Sequence, residues 1–298
     1  MDKIKVAVVG LGNVGRHAVQ AVNAAPDMEL VGVVRRSASA GTPQEGNVTV
    51  VSDAAQLGRV DVALLCAPTR VVRQEAAKYL AMGINTVDSF DIHSDIVEFR
   101  AILSGIAQAN KTVAVTAAGW DPGSDSVVRA LMEAMAPGGI TYTDFGPGMS
   151  MGHSVAARAV AGVADALSLT IPLGTGVHRR LVYVRLEEGA DFETVSGAIK
   201  ADPYFRNDET RVIQSDDVRA MMDTGHGVSM NRKGVSGQTH NQMLRFKMQI
   251  NNPALTSQIM VSCARACKRL APGCYTMIEI PIIDLLPGER EGHIRRLV

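Results

Sequence analysis

The chain has 298 residues, of which 46% are hydrophobic and 20% are charged, and its 30 basic residues balance 30 acidic ones. The length allows two ordinary domains, and the absence of basic excess argues against nucleic acid or an anionic membrane as the main partner. No apolar run approaches the roughly 18 residues of a membrane span, and "MDKIKVAVVG" enters a strand without the apolar core of a signal peptide, so we expect a cytoplasmic location.

The first third of the chain alternates between short β-rich runs and helical patterns. Helices are predicted over 13–25, 69–82 and about 93–109, and Asp53 and Gln56 in "DAAQL" are spaced as a capping box. This alternation predicts an α/β fold with a doubly wound parallel sheet of Rossmann type over residues 1–120. The predicted strands are "KVAVVG", "MELVGVV", "VTVVS", "VDVALLCAP", "INTVD" and "TVAVTAA".

The pattern changes after Gly139. The strands "ALSLTIPL", "RRLVYVRLE", "TRVIQS" and "MLRFKMQIN" are longer and alternate partially, and only two helical patterns interrupt them. They predict a mainly antiparallel sheet with one covered face. We therefore expect a second, α+β domain over 121–269 for substrate binding and dimerisation. A helix opens at Asn252-Pro253, and the segment from about 270 to 298, with "CYTMIEIPIIDLL", is expected to return to the first domain.

The four cysteines show no metal-binding spacing. Cys66 lies in an apolar strand, Cys263 and Cys267 are four residues apart on a predicted helix, and Cys274 stands alone. Because neither a CxxC pair nor a Cys/His pattern is present, we expect buried free thiols and no metal site.

Gly10, Gly12 and Gly15 form a GxGxxG pattern between the first strand and the first helix. Gly10 permits a tight turn, Gly12 lets the backbone approach a pyrophosphate, and Gly15 lets the helix pack against the strand. The amide groups at the helix N-terminus then bind the anion. The alternative is a glycine-rich turn without a ligand, which the flanking strand and helix disfavour.

The second strand ends in Arg35, Arg36 and Ser37, where an NAD site usually has an acid that binds the ribose hydroxyls. A carboxylate would repel a 2′-phosphate, whereas guanidinium groups bind one, so the predicted cofactor is NADP. Two solvated surface arginines are the alternative. The predicted cofactor-binding set, which includes the ends of further strands, is Gly10, Gly12, Asn13, Val14, Gly15, Arg35, Arg36, Ser37, Cys66, Pro68, Thr69, Asp88 and Ser89.

Acids follow two predicted strands, at the sheet edge where ligands of open α/β sheets bind. Asp91 lies in "TVDSFDIHSD" and Asp121 in "TAAGWDPGSD". Asp121-Pro122 also fits an N-cap followed by proline at the first helical position, and Asp91 or Ser94 could cap a helix. Capping and catalysis are evenly balanced for Asp121, and catalysis is favoured for Asp91.

Eleven strings, spread over essentially the whole chain, form a further pattern: "VGLGNVGRHAV", "VVRRS", "LLCAPTR", "TVDSFDIH", "AGWDPGSDS", "FGPGMSMGHSVA", "GVHRRLVYV", "ADPYF", "GVSGQTHNQ", "INNPALT" and "PGCYTMIEIPIIDLLPG". With these strings the chain resembles the meso-diaminopimelate dehydrogenase family, and its shorter members in particular. The resemblance implies a homodimer that performs NADP-dependent oxidative deamination at the D-configured carbon of meso-2,6-diaminopimelate. The products are L-2-amino-6-oxopimelate, which cyclises to tetrahydrodipicolinate, with ammonia and NADPH, on the route to lysine.

The resemblance also implies residue roles. Asp91 and Asp121 face the amino group of the D-centre as catalytic residues. Longer members tend to have tryptophan where Phe145 stands, so we expect a looser pocket and slow oxidation of simpler D-amino acids. The residues implied in substrate binding are Trp120 and Phe145 around the D-centre, Met151 and Gly152 at its carboxylate, and Thr170, Arg180, His226 and Asn252 at the distal L-centre.

Two other functions remain open from the residues. One is a different NADP-dependent oxidoreductase, of the dihydrodipicolinate reductase-like or sugar dehydrogenase-like type, although the latter's "EKP" string is replaced here by "DSFDIHSD". The other is a non-catalytic NADPH-sensing protein on the same fold. The acids at the strand ends argue against a sensor, which needs no proton acceptor.

Overall fold

The structure, a computed structural model, describes residues 2–35, 48–222 and 225–298. The chain divides into two compact units, one formed by Met1–Val127 with Pro253–Val298 and the other by Val128–Asn252. The sequence predicts boundaries near 120 and 269, so the principal difference concerns the helix that begins at Asn252.

The bounds of the regular elements are as follows. The strands are β1 (Ile4–Val9), β2 (Met28–Val34), β3 (Val50–Val51), β4 (Val62–Leu65), β5 (Asn85–Asp88), β6 (Val113–Val115), β7 (Gly138–Phe145), β8 (Gly148–Met149), β9 (Val163–Gly174), β10 (Val177–Leu186), β11 (Glu209–Gln214), β12 (Gly225–Ser236), β13 (Thr239–Asn251) and β14 (Gly273–Tyr275). The α-helices are α1 (Asn13–Ala24), α2 (Thr69–Ala81), α3 (Ile96–Ala109), α4 (Ser124–Met135), α5 (Met151–Arg158), α6 (Phe192–Ala201), α7 (Asn252–Ala266) and α8 (Arg290–Leu297).

The first unit is built on a seven-stranded parallel sheet in the order β14-β6-β5-β4-β1-β2-β3. The chain runs outward from β1 through β2 and β3, then crosses to β4 and runs outward on the other side, which confirms the predicted doubly wound fold. The segment expected to return to the first domain supplies β14, which pairs with β6 at Gly273↔Val113.

Two hydrophobic layers cover the two faces of this sheet, because alternate residues of each strand point to opposite sides. Val6 and Val8 belong to the layer that includes α1, whereas Ala7 and Val9 belong to the layer that includes α2 and α3. The predicted capping box is confirmed in a 3-10 helix, Ala54–Leu57, where the Asp53 carboxylate accepts from the Ala55 amide at 2.9 Å.

Helix α7 belongs to the first unit because its apolar face packs into the core of that unit. Met260, Val261, Cys263, Ala264 and Ala266 lie among the buried residues of the layer that contains α1. The sequence pattern shows that this face is apolar, but it does not indicate which of the two cores receives it. The unit boundary therefore falls at Asn252.

The second unit contains two sheets where the sequence predicts one. Their orders are β11-β10-β9-β8 and β13-β12-β7, and all pairs are antiparallel except β10 with β11. Helix α6 connects β10 to β11 and so makes that pair parallel. Strand alternation predicts which residues face a core, but not which strands are partners, and this explains the difference.

Within the described ranges, no helix has the length and apolar character needed to cross a membrane. The cysteines Cys66, Cys263, Cys267 and Cys274 are free thiols, and the last three are buried.

Candidate functional site

The loop between β1 and α1 has the geometry that a dinucleotide pyrophosphate needs. Gly10 has φ +94°, and a Cβ there would lie 2.6 Å from the carbonyl oxygen of Cys66. A Cβ at Gly15 would lie 2.1 Å from the carbonyl oxygen of Gly10, so helix and strand approach too closely for any side chain. A Cβ at Gly12, by contrast, would enter open space within the described part of the chain. Gly10 and Gly15 therefore fit the turn and packing roles that the motif predicts, and Gly12 borders the space where we expect the pyrophosphate.

The N-terminus of α1 adds donors beside that open space. The helix begins at Asn13 and is flanked by Gly12, whose carbonyl accepts from the Arg16 amide at 3.0 Å. The amides of the first turn have no carbonyl partner within a helix and lie at the positive end of its dipole. The backbone of Asn13, Val14 and Gly15 thus fits a pyrophosphate.

Arg35 directly follows β2, at the place where we expect the 2′-phosphate of the cofactor. Arg35 is exposed, and its amide donates to the carbonyl of Val51 at 2.8 Å, which fixes the backbone there. The predicted partners Arg36 and Ser37 lie outside the described residues.

The predicted cofactor residues after β4 lie at the start of α2. Burial raises the pKa of the Cys66 thiol to about 12, so this residue stays a neutral thiol at physiological pH. Its amide donates to the carbonyl of Val9 at 2.8 Å. Pro68 directly precedes the first residue of the helix, Thr69.

Asp88 and Ser89 follow β5, and the Asp88 carboxyl is fully buried. Its Oδ1 accepts from the Phe90 amide at 3.0 Å and from the Thr116 hydroxyl at 2.8 Å. Burial is the largest influence on Asp88 and raises its pKa to about 6, while these hydrogen bonds act in the opposite direction. The carboxyl therefore ties the loop after β5, which carries Asp91, to the loop after β6.

Asp91 is held by a residue of the predicted cofactor set. The Thr69 hydroxyl donates to Asp91 Oδ1 at 2.6 Å. The residue that flanks the 3-10 helix His93–Asp95 is Ile92, and the one that flanks α3 is Asp95. Neither flanking position belongs to Asp91 or Ser94, so the structure does not support the capping alternative for either.

Trp120 and Asp121 lie in a tight turn after β6. The Gly119 amide donates to the carbonyl of Pro122 at 3.1 Å, and a Cβ at Gly123 (φ +145°) would lie 2.0 Å from the Gly119 oxygen. Helix α4 begins at Ser124, two residues after Pro122, so Asp121 does not directly flank the helix as the capping alternative expects.

In the second unit, Arg180 and Thr170 are directly opposite each other on β10 and β9. Arg180 Nη1 donates a short hydrogen bond to the Thr170 hydroxyl. Arg180 Nε donates to Asp208 Oδ2 at 2.6 Å. The structure therefore brings together two of the predicted distal residues and adds Asp208, which sequence reasoning missed.

Phe145 also has a partner that sequence reasoning missed. Its amide donates to His178 Nε2 at 2.7 Å, and the two rings lie 5.6 Å apart between centroids. Burial and then the charge of Arg180 lower the pKa of His178, which favours the neutral imidazole that this acceptor role needs. The spacing "HRR" was an available signal, because His178 and Arg180 lie two residues apart on one strand and thus on one face.

The remaining predicted substrate residues of this unit lie on neighbouring elements. Met151 and Gly152 are the first two residues of α5. The Asn252 side chain donates to the carbonyl of Met149 at 3.5 Å, and His226 Nδ1 accepts from the Gly227 amide at 2.8 Å. In the part of the chain that the structure describes, no group of three or more His, Cys, Asp or Glu residues could hold a metal ion.

Comparisons with known proteins found similar family models and relatives. Residues 119–179 match the family model of the diaminopimelic acid dehydrogenase C-terminal domain, and residues 5–95 match that of the semialdehyde dehydrogenase NAD-binding domain. A curated relative from Bacteroides fragilis, a meso-diaminopimelate D-dehydrogenase, is 58% identical over 299 residues and covers 100% of both chains. The enzyme of the same name from Lysinibacillus sphaericus is 37% identical over 325 residues, with 99% of each chain covered.

Solved structures show the same similarity over the full length. The C. glutamicum DAP dehydrogenase in complex with DAP has a TM-score of 0.90 at 30% identity, with 100% of both chains covered. An engineered D-amino acid dehydrogenase bound to NADP+ has a TM-score of 0.88 at 29% identity, covering 99% of this chain and 100% of that one.

Proposed function

This chain belongs to the meso-diaminopimelate D-dehydrogenase family, and on that premise we propose that it oxidatively deaminates meso-2,6-diaminopimelate at the D-centre with NADP+. The substrate, NADP+ and water give L-2-amino-6-oxopimelate, ammonia, NADPH and a proton, and the oxo acid cyclises to tetrahydrodipicolinate. The observation that carries the proposal is the 58% identity to a relative of this activity over both entire chains.

The first unit has the fold of a nicotinamide-dinucleotide-binding domain. The choice of NADP over NAD rests on the basic residues at 35 and 36, where an acid would repel a 2′-phosphate. The NADP+ in the engineered D-amino acid dehydrogenase supports the same choice. When bound, the nicotinamide supplies the acceptor for the hydride from the substrate carbon. The Gly10–Gly15 loop and α1 hold the pyrophosphate, and the residues after β4 and β5 lie at the carboxyl edge of the sheet.

Asp91 and Asp121 provide the acid–base chemistry of the D-centre. A hydride leaves a carbon only when the attached nitrogen is an uncharged amine, so the substrate ammonium must first lose a proton. A carboxylate close to that nitrogen is a suitable acceptor. The Thr69 hydroxyl fixes the position of Asp91 Oδ1 and occupies one of its lone pairs, which leaves Oδ2 for the substrate.

The second unit supplies the groups that distinguish the two ends of the substrate. Arg180 matches a carboxylate with its planar fork of donors, and Thr170, His226 and Asn252 complete the distal L-centre. The amides of Met151 and Gly152, at the start of α5, bind the carboxylate of the D-centre. Trp120 and Phe145 provide the apolar surface beside that centre. The proposal includes a homodimer and a cytoplasmic location, as the sequence and its family resemblance lead us to expect.

The proposal is tested by incubating the protein with NADP+ and meso-diaminopimelate at alkaline pH and following NADPH absorbance. The LL isomer has no D-centre and is the inactive control. Turnover of another carbonyl or amine substrate without any on meso-diaminopimelate would favour the alternative oxidoreductases. Tight NADPH binding without turnover of any candidate would favour the sensor.

A further inference from the structure

We propose that Asp208 is a positioning residue, which orients the Arg180 guanidinium toward the carboxylate of the substrate's distal L-centre. The inference rests on the proposed function. Asp208 lies in the loop before β11, outside every motif that points to the substrate, and its role depends on how β10 and β11 are paired.

Two neighbours hold the guanidinium at two different nitrogens. Asp208 accepts from Nε, and Thr170 accepts from Nη1. A guanidinium has five N–H donors in a rigid plane, so these two bonds fix both the position of the plane and its rotation. Among the described residues no further partner of Arg180 is found, and Nη2 is therefore the end of the fork that a ligand meets.

The ion pair is sheltered enough for its geometry to persist. The side chains of Arg180 and Asp208 are 14% and 25% exposed, respectively. An arginine loses considerable rotamer entropy when it is fixed by a ligand. If Asp208 and Thr170 fix the Arg180 side chain before the substrate binds, the carboxylate meets donors that are already in place. The loss of rotamer entropy then does not weaken substrate binding.

The loop that carries Asp208 is itself fixed by a buried ring. Phe205 is 0% exposed, its amide donates to the Asp202 carbonyl at 2.9 Å, and its own carbonyl accepts from the Asp208 amide at 3.0 Å. His153 packs edge-on against the Phe205 ring, with 5.2 Å between the centroids. Asp208 is thus placed by a turn that is anchored in the core of its own unit.

His153, which lies close to Arg180, carries no positive charge that could bind the substrate carboxylate. Burial, and then the charge of Arg180, lower the pKa of His153 to about 3. Its Nδ1 lies 2.8 Å from the Ser150 hydroxyl, which orients the ring. The imidazole is therefore neutral at working pH, and Arg180 is the cation of this cluster.

The adjacent residues along the chain, Arg179 on β10 and Glu209 at the start of β11, provide a matched control. Arg179 donates to Glu209 through Nε at 2.8 Å and through Nη2 at 3.0 Å. This ion pair is the more exposed one, at 29% and 48%, and Arg179 points to the opposite face of β10 from Arg180. Glu209→Gln therefore removes a carboxylate charge at the residue next to Asp208 without removing either hydrogen-bond partner of Arg180.

The test compares Asp208→Asn with Glu209→Gln, using meso-diaminopimelate as substrate and D-lysine as a competitive inhibitor. D-lysine is meso-diaminopimelate without its distal carboxylate. We expect Asp208→Asn to raise KM for meso-diaminopimelate roughly 10- to 100-fold, as loss of a charge-assisted hydrogen bond would. The inhibition constant of D-lysine, kcat and the NADP+ dissociation constant should stay within about twofold. Glu209→Gln should change none of these quantities.

Thr170→Val removes the second anchor while keeping the side-chain shape, and it should reproduce the selective rise in KM. A double-mutant cycle of Asp208→Asn with Arg180→Met separates positioning from general stability. If Asp208 acts through Arg180, its substitution should cause no further rise in KM once Arg180 is methionine.

Three results would overturn the inference: an Asp208→Asn effect no larger than that of Glu209→Gln, an equal weakening of D-lysine, or additive effects in the cycle. If instead the unaltered protein fails to oxidise meso-diaminopimelate, the proposed function has failed. The two failures are therefore distinct.

Discussion

The Thr69 hydroxyl donates a 2.6 Å hydrogen bond to Oδ1 of Asp91. The bond joins the first residue of α2, where we expect the cofactor, to the loop after β5, where we expect proton transfer. The carboxylate that we propose as proton acceptor is thus held by a residue at the sheet edge where we expect the dinucleotide.

Replacing Thr69 by Val should lower kcat about 10- to 100-fold, because a freely rotating carboxylate loses the geometry that proton transfer needs. Thr69→Ser keeps the hydroxyl and should retain most of the activity. Steady-state kinetics on meso-diaminopimelate provide the measurement. Equal kcat values for the Val and Ser variants would show that the hydrogen bond has no catalytic role.

Asp91→Asn and Asp121→Asn should each reduce turnover by roughly 10²- to 10⁴-fold, the usual contribution of a general base. NADP+ binding, measured by fluorescence titration, should stay unchanged. Asp95→Asn, an exposed acid in the same segment as Asp91, is the control and should keep full activity. Normal turnover in either variant would remove that aspartate from the mechanism.

The paired change Arg35→Ala with Arg36→Ala should weaken NADP+ binding by about 2–4 kcal/mol, since charged hydrogen bonds to the 2′-phosphate are lost. NAD+ binding should hardly change, because NAD+ has a hydroxyl in that place. Titration with each cofactor gives the comparison. An equal loss for both would refute the assignment of the two arginines.

Asp88 should make stability depend on pH in the direction opposite to a salt-bridged acid. Burial raises the pKa of Asp88 to about 6, from about 3.9 for an ordinary aspartic acid, so the folded state binds more protons than the unfolded state between these values. Stability therefore falls as pH rises from about 4 to 6, by roughly 3 kcal/mol in total, and stays lower above that range.

Urea unfolding at pH 4.5 and pH 7.5 tests this expectation for Asp88 and for the variant Asp88→Asn, which cannot ionise. Relative to the unaltered protein, the variant should have a higher free energy of unfolding at pH 7.5 than it has at pH 4.5. A difference that does not depend on pH would show that the Asp88 carboxyl titrates at its ordinary value.

Phe145 should permit slow oxidation of simpler D-amino acids. Its amide is held by His178 at 2.7 Å, so the backbone is fixed and the size of the ring sets the pocket. Phe145→Trp should suppress turnover of a D-amino acid panel while retaining that of meso-diaminopimelate. A complete absence of turnover across the panel in the unaltered protein would contradict the expectation.

The sequence predicts the first unit well because its signals are local. The GxGxxG spacing, the all-apolar strand Val62–Leu65 and the capping box at Asp53 each depend on residues a few positions apart. In the second unit the decisive relationships are between distant residues. The Arg180–Asp208 ion pair depends on the parallel pairing of β10 and β11, which alternation of residues does not encode.

The site shows the same division. The spacing around Asp91 indicates an acid at a strand end, but its bond to Thr69 spans 22 residues and requires the fold. At Asp121 the local signal leaves two interpretations open, because an Asp-Pro pair resembles a helix start, whereas the helix begins at Ser124. Local propensity predicts the elements here, and tertiary packing determines what each functional side chain contacts.

We propose that the chain removes a hydride from the D-configured carbon of meso-diaminopimelate. Two substrates, deuterated at either the D-carbon or the L-carbon, test this step when the reduced cofactor is analysed by mass spectrometry. We expect deuterium in NADPH from the D-labelled substrate alone, with an unlabelled cofactor from the L-labelled one. Deuterium transfer from the L-carbon, or no NADPH from either substrate, would contradict it.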